Sequence, residues 1–221
     1  MDRSRLAVII PAHNEEATIA EIAGAASAFG TVFVVDDCSR DATAAHAEAA
    51  GAVVLRNGTN LGYDGTIDRG LAEADARGFE AAVTLDADGE HDPAILAPFY
   101  DRLIGERVPL VLGVRPKKAR FSEKLMGLVI RRRYGVTDIL CGMKGYRLEL
   151  YRENGGFDHC GSIGTELAIA SIRRGHAFAE VTVTGRPRAD APRFGRLIRA
   201  NFKILRALWR VMTMPLPAGA R

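Results

Sequence analysis

Cysteine is scarce: Cys38, Cys141 and Cys160 are the three in 221 residues, with no C-x-x-C spacing among them. An even disulfide framework and a thiolate zinc site are therefore excluded, and a reduced, intracellular setting is expected. Long apolar runs are also missing. No stretch reaches eighteen residues, so the sequence predicts no membrane span. The run Leu6 to Ile10 is too short for a signal-peptide core and leads straight into Pro11-Ala12-His13-Asn14-Glu15-Glu16, which has no small-residue cleavage pattern. No G-x-G-x-x-G follows this run and no G-x-x-x-x-G-K-[ST] occurs, which removes the dinucleotide fold and the P-loop. Internal repeats and low-complexity tracts are absent as well.

What is present is an alternation. Short β-branched runs at Leu6–Ile10, Thr31–Val35, Ala52–Leu55, Ala81–Leu85 and Pro109–Val114 read as buried parallel strands. Between them, Asn14 to Ala28, Asp41 to Ala50, Tyr63 to Arg77 and Asp92 to Ile104 read as crossover helices, with Ser39 and Asp41 at N-cap positions and Pro93 opening a helix after Asp92. The pattern predicts an α/β fold with a doubly wound, mostly parallel sheet. After Val114 come a basic loop and helix to Arg133, a Gly-rich passage from Gly135 to Gly145, a helix over Thr165 to Arg174 and a strand over Ala177–Thr184. Length favours one large domain, taken as 1–185, with a C-terminal appendage over 186–221.

Charge is uneven. Net charge is +3, yet residues 186–221 hold nine Arg/Lys against the single acid Asp190. Arg196, Arg199, Lys203, Arg206 and Arg210 recur at steps of three and four, with Leu205, Trp209 and Met212 among the apolar residues between them. This predicts a basic amphipathic helix that lies on an anionic membrane surface or docks on the domain with a solvated basic side. No nucleic-acid motif accompanies the charge.

In an open α/β sheet the ligand lies beyond the carboxyl ends of the strands. Here those ends are polar: Pro11, His13, Asn14 and Glu15; Asp36, Asp37, Ser39 and Asp41; Asn57, Asn60 and Gly62; then Asp86, Asp88 and Glu90. The last three stand where a buried run breaks into a loop, a place to hold Mg²⁺ or Mn²⁺ together with a diphosphate. A calcium EF-hand is excluded because its sixth and twelfth positions would be His91 and Ala97 rather than Gly and Glu.

The segments P-A-H-N-E-E at 11 to 16, V-D-D-C-S-R-D-A-T at 35 to 43, N-L-G at 60 to 62 and L-D-A-D-G-E-H-D-P at 85 to 93 together resemble glycosyltransferase family 2, inverting enzymes of the GT-A fold. G-V-R at 113 to 115 and D-I-L-C-G at 138 to 142 resemble the branch that makes dolichol-phosphate and polyprenyl-phosphate sugars, with Cys141 where Ser or Thr is more usual. The resemblance implies that Pro11, Asn14 and Glu15 line a nucleotide pocket, that Asp37 accepts from the N–H of a uracil or guanine edge, and that Asn60 shapes the nucleotide-side loop. It gives Asp86 and Asp88 to the metal and diphosphate, with Glu90 as a third ligand. His13 and His91 read as packing residues.

A metal held by Asp88 would neutralise the leaving diphosphate of a UDP- or GDP-sugar. A polyprenyl phosphate acceptor is already an oxyanion near neutral pH and needs no protein base, and Arg115 and Lys124 are placed to hold its phosphate. A soluble hydroxyl acceptor would need a base, for which Glu166 is the candidate. The implied activity is a metal-dependent hexosyltransferase at the cytoplasmic face of a membrane, peripheral or anchored by a partner subunit. A non-catalytic nucleotide-sugar-binding protein and a basic nucleic-acid adaptor are the readings from other classes.

Overall fold

Seven consecutive residues, Leu6–Ala12, form strand β1, and all but Pro11 are buried. Alternation splits their side chains between two cores. Leu6, Val8, Ile10 and Ala12 pack on one face of the sheet, while Ala7 and Ile9 pack on the other. Burial of each large aliphatic side chain contributes roughly 1.5–3 kcal/mol, which explains why a strand covered on both faces needs no polar position.

The computed structural model describes residues 2–116, 121–184, 205–207, 209–210 and 212–213, with the backbone alone for 121–126. In chain order its elements are β1, α1 (Ile19–Ala26), β2 (Thr31–Asp36), α2 (Thr43–Ala49), β3 (Val53–Arg56), α3 (Gly62–Ala76), β4 (Ala81–Thr84), α4 (Leu96–Tyr100), β5 (Leu110–Val114), α5 (Phe121–Tyr134), β6 (Lys144–Arg147), α6 (Leu148–Asn154), α7 (Glu166–Arg173) and β7 (Phe178–Thr182). The sheet runs β3-β2-β1-β4-β6-β5-β7. All neighbours are parallel except β6, which is antiparallel to both β4 and β5. Helices α1, α2 and α4 cover the face of Leu6 and Val8, and α3, α6 and α7 cover the face of Ile9.

The α/β alternation read from the sequence is present, with three differences. Residues 14–18 do not join α1: Asn14 has φ +57°, and the backbone N–H groups of Asn14 and Glu15 donate to Ser39 Oγ (2.9 Å) and Thr43 Oγ1 (2.8 Å). Hydrogen bonds to the neighbouring strand-end loop replace a first helical turn. The segment 92–104 is not one regular helix. Asp92 caps a 3₁₀ turn at Pro93–Ile95 by accepting from Ala94 N–H at 2.9 Å, and a π-helical turn, Asp101–Gly105, follows α4. Pro98, inside α4, has no N–H to continue the ladder. Finally, the passage read as irregular after Gly135 contains β6 and leads into α6. Lys-Gly-Tyr-Arg carries no apolar alternation, but it is buried because it lies between two strands of the sheet. The boundary expected at residue 185 and most of the basic tail lie outside the described residues.

Candidate active site

Parallel strands β1, β2 and β4 end on the same edge of the sheet, and their following residues border one open crevice of about 450 Å³. Pro11, Ala12, His13 and Glu15 come from β1 and its loop, Asp37 from β2, Asp86 and Asp88 from β4, and Asn60, Gly62, Tyr63 and Thr66 from the start of α3. Of the residues expected at a nucleotide, Pro11, Glu15, Asp37, Asn60 and Asp86 line this crevice. Asn14 does not. Its Oδ1 accepts from Arg40 N–H at 2.9 Å, so it ties the β1 loop to the β2 loop at the rim.

Asp37 joins the end of β2 to α3. Oδ1 accepts from Asn57 Nδ2 (2.8 Å) and Leu61 N–H (2.7 Å), and Oδ2 accepts from Gly62 N–H (2.9 Å). Burial acts to raise its pKa, but these hydrogen bonds outweigh it and hold the carboxyl below its usual range. The Thr66 side chain bonds the same carboxylate, so four protein groups hold Asp37 in place. His13 Nδ1 lies 2.8 Å from the Asp37 carbonyl oxygen, and Asn60 Nδ2 donates to that oxygen at 3.3 Å. Both polish the crevice wall around the β2 end.

At the other end of the crevice, burial and then the charge of Asp88 push the Asp86 carboxyl up. Two carboxylates that repel one another in a half-enclosed cleft suit a divalent cation, whose charge removes the repulsion. Asp88 Oδ1 also accepts from Glu90 N–H at 3.0 Å, which fixes its rotamer. Glu90 does not line the crevice, and among the described residues Asp86, Asp88 and Glu90 do not bring one ligand atom each within 4.8 Å of one another. Gly142 backs directly onto Asp86, since a Cβ there would collide with both carboxylate oxygens. His91, next to the acidic turn, is buried with Nδ1 unpartnered.

Two cations stand behind this end. Arg115 grips Asp138 through two parallel bonds, Nε–Oδ2 at 2.8 Å and Nη2–Oδ1 at 3.1 Å. The fork expected to hold an acceptor phosphate is thus oriented by a buried carboxylate. Lys144 on β6 is the second cation and was not found by sequence reasoning. It is 4% exposed and its Nζ donates to the Cys141 carbonyl at 2.6 Å; burial lowers its pKa, opposed by charges that include Asp138 and Asp86. The only sequence signal was a lysine inside an unrecognised strand. The side chain of Lys124 lies outside the described residues.

Glu166 opens α7 but is 1% exposed and does not line the crevice. Oε2 accepts from the N–H groups of His159 (2.7 Å) and Cys160 (3.0 Å), and Oε1 lies 2.6 Å from His159 Nδ1. Burial raises its pKa, but the His159 and Cys160 bonds prevail and lower it. The structure therefore makes Glu166 the clamp of the loop 155–160. Among the described residues, Asp158, Cys160 and Glu166 bring one ligand atom each within 4.8 Å of one another. Asp158 accepts from Gly161 and Ser162 N–H and Glu166 is bound as above, so these oxygens already serve the loop.

Comparisons with known proteins bear on the family and the fold. An uncharacterized protein of Methanocaldococcus jannaschii is 30% identical over 67% of the chain and 67% of its own length. The undecaprenyl-phosphate mannosyltransferase of Micrococcus luteus is 27% identical over 81% of the chain and 83% of its length. In structure, glucosyl-3-phosphoglycerate synthase from Mycobacterium tuberculosis, solved with Mn²⁺, UDP and phosphoglyceric acid, superposes with a TM-score of 0.76 over 95% of the chain and 79% of that protein, at 22% identity. That likeness establishes the GT-A type of sheet. The family model for glycosyl transferase family 2 matches residues 7–155, which run from β1 through both acidic strand ends to the close of α6, and the chain belongs to that family.

Proposed function

We propose that this glycosyltransferase moves a sugar, with inversion, from a UDP- or GDP-sugar to a polyprenyl phosphate, in a reaction that requires Mg²⁺ or Mn²⁺. The observation that carries the reading is the shared crevice, with Asp37 at one end and the Asp86/Asp88 pair at the other. The base lies toward Pro11, Asp37 and Asn60, at the end of β2. The diphosphate lies toward Asp86 and Asp88, and a bound divalent ion supplies charge neutralisation for the departing nucleoside diphosphate.

An acceptor phosphate oxygen attacks the anomeric carbon from the face opposite the donor diphosphate. The new C–O bond forms as the bond to the β-phosphate oxygen breaks, and the electron pair leaves with the nucleoside diphosphate. No proton moves, because the attacking oxygen is already ionised near pH 7. Arg115, aimed by Asp138, provides positive charge for the acceptor phosphate at the sugar-side end, and buried Lys144 supports the Asp86 side of the crevice. Lys124 on α5 is assigned to the same task. The undecaprenyl-phosphate acceptor of the Micrococcus relative supports the lipid-phosphate choice. The phosphoglyceric acid bound by the Mycobacterium synthase motivates a soluble acceptor as the control. In that case a base is needed, and Glu166 is withdrawn from the crevice by its own hydrogen bonds.

The test incubates the protein with Mn²⁺, radiolabelled UDP- and GDP-sugars, and either polyprenyl phosphate or 3-phosphoglycerate. Label extracted into organic solvent, lost in Asp88→Asn and on chelation, is the expected result. Transfer to the soluble acceptor alone would transfer the assignment to that chemistry. Nucleotide binding with no transfer to either would leave a binding protein.

A further inference from the structure

Tyr63 borders the crevice beside Asp86 and Asp88 but has no part in the roles assigned above. It is the second residue of α3 and is 38% exposed, unusual for an aromatic residue at the foot of a packed helix. Its ring reaches across to the loop before α7: a Cβ on Gly164, which sits at φ +65°, would lie 3.3 Å from Tyr63 Cε1. One edge of the ring therefore rests against that loop while the residue borders the crevice on the Asp86 side. The phenol hydroxyl can donate one hydrogen bond. It takes part in no hydrogen bond with the described residues.

The chemistry of this position selects its ligand. An aromatic face carries negative partial charge and disfavours phosphate oxygens, whereas it accepts the positively polarised C–H face of a pyranose. The base is assigned to the opposite end, near Asp37. Beyond the diphosphate the only remaining portion of a nucleotide-sugar is the sugar. Resting on the reading that the crevice holds such a donor, we propose that Tyr63 is a specificity-determining residue for the transferred sugar, with its ring against the sugar's C–H face and its hydroxyl donating to one sugar oxygen.

Calorimetry with Mn²⁺ compares wild type, Tyr63→Phe and Tyr63→Ala, using UDP, GDP, UDP-glucose, UDP-N-acetylglucosamine and GDP-mannose as probes. Tyr63→Phe should leave the Kd of the preferred free nucleoside diphosphate within about twofold and raise that of its nucleotide-sugar about tenfold, the value of one hydrogen bond to a buried partner. Tyr63→Ala should raise it further and narrow the spread among sugars carried on the same nucleotide. Equal weakening of diphosphate and nucleotide-sugar would overturn the proposal, because the ring would then serve the ribose, the phosphates or the helix. Unchanged affinities would overturn it too. If the wild type bound none of the five probes, the donor reading itself would fall, an outcome distinct from selective loss of the sugar contact.

Discussion

Asp88 and Asp86 differ in what their neighbours already do for them. Asp88 has one oxygen pinned by Glu90 N–H, an interaction that an amide oxygen can keep. Asp88→Asn should thus preserve the turn, with a melting temperature within about 2 °C of wild type, while transfer falls by roughly 10³-fold. A melting-temperature change without the loss of rate would count against a catalytic duty. Asp86 is reached through its support instead. Gly142→Ala places a methyl group where the Asp86 carboxylate stands, so the side chain must move. Displacement of a metal-binding oxygen by about 1 Å costs on the order of 100-fold in rate. The variant should show that loss with near-normal nucleoside binding in the absence of metal, measured by fluorescence titration.

Single residues were legible in the sequence where motif and strand end coincided, as for Asp37, Asp86 and Asp88. Lys144, Tyr63 and Gly142 were not, because their importance comes from what the fold brings beside them and not from their sequence neighbours. Asn14 and Glu166 show the converse. Both belong to recognisable segments, yet the structure uses their polar atoms to tie loops together.

At the scale of elements, the clearest case is the loop between α6 and α7. Glu166 receives two backbone N–H groups and the His159 ring, and the hydrogen bond to Glu166 raises the His159 pKa above its ordinary value of about 6.5. A group raised on folding contributes stability that is complete below the unfolded pKa and fades as pH climbs through the folded one. The depressed Glu166 contributes above the ordinary Glu range and loses its contribution as pH falls through its lowered value. Melting temperature should therefore decline from pH 6.5 upward more steeply in the wild type than in His159→Gln, with the two curves converging at the alkaline end. The His159 side chain is 48% exposed, so salt should flatten the difference. Parallel curves at all salt concentrations would remove the ion pair from the account. Elements with strong apolar periodicity, β1 through β4, were readable within one or two residues at most ends. β6 was not, since its burial derives from its place between β4 and β5, and 92–105 departs from one helix because Pro98 interrupts the donor ladder.

For the whole molecule, the proposed lipid-phosphate acceptor raises the question of which surface would meet a membrane. Among the described residues no helix is long and apolar enough to cross a membrane. The described positions of the basic tail are helical. Ala207 is buried, Met212 packs against the core of α3, α6 and α7, and Arg210 Nη1 donates to the Cys160 carbonyl at 2.6 Å. Leu205 and Trp209, one turn apart, are 41% and 67% exposed. Contacts made by Ala207, Arg210 and Met212 leave Leu205 and Trp209 exposed, so docking and membrane contact, set as alternatives by the sequence, do not exclude one another. Co-sedimentation with phosphatidylglycerol vesicles should drop about tenfold in Trp209→Ser, equivalent to about 1.4 kcal/mol, and vanish when the chain is cut before Arg193, with nucleotide binding retained. Undiminished sedimentation of the truncated chain would assign any membrane contact to another surface.

The reversed strand β6 has a consequence for how the molecule is made. It joins β4, synthesised some sixty residues earlier, to β5, and it is the sole strand that links the β3-β2-β1-β4 half of the sheet to the β5-β7 half. Until Arg147 has left the ribosome, the open flank of β4 has no strand to pair with, and β4 and the still unpaired β5 present backbone to any other nascent chain. The crevice can form early, around β1, β2 and β4, whereas the backing of Asp86 by Gly142 and Lys144 arrives only with this late closure. Nascent chains stalled before residue 140 should therefore be a preferred client for chaperones, and competence for transfer should appear abruptly once the seam is shut.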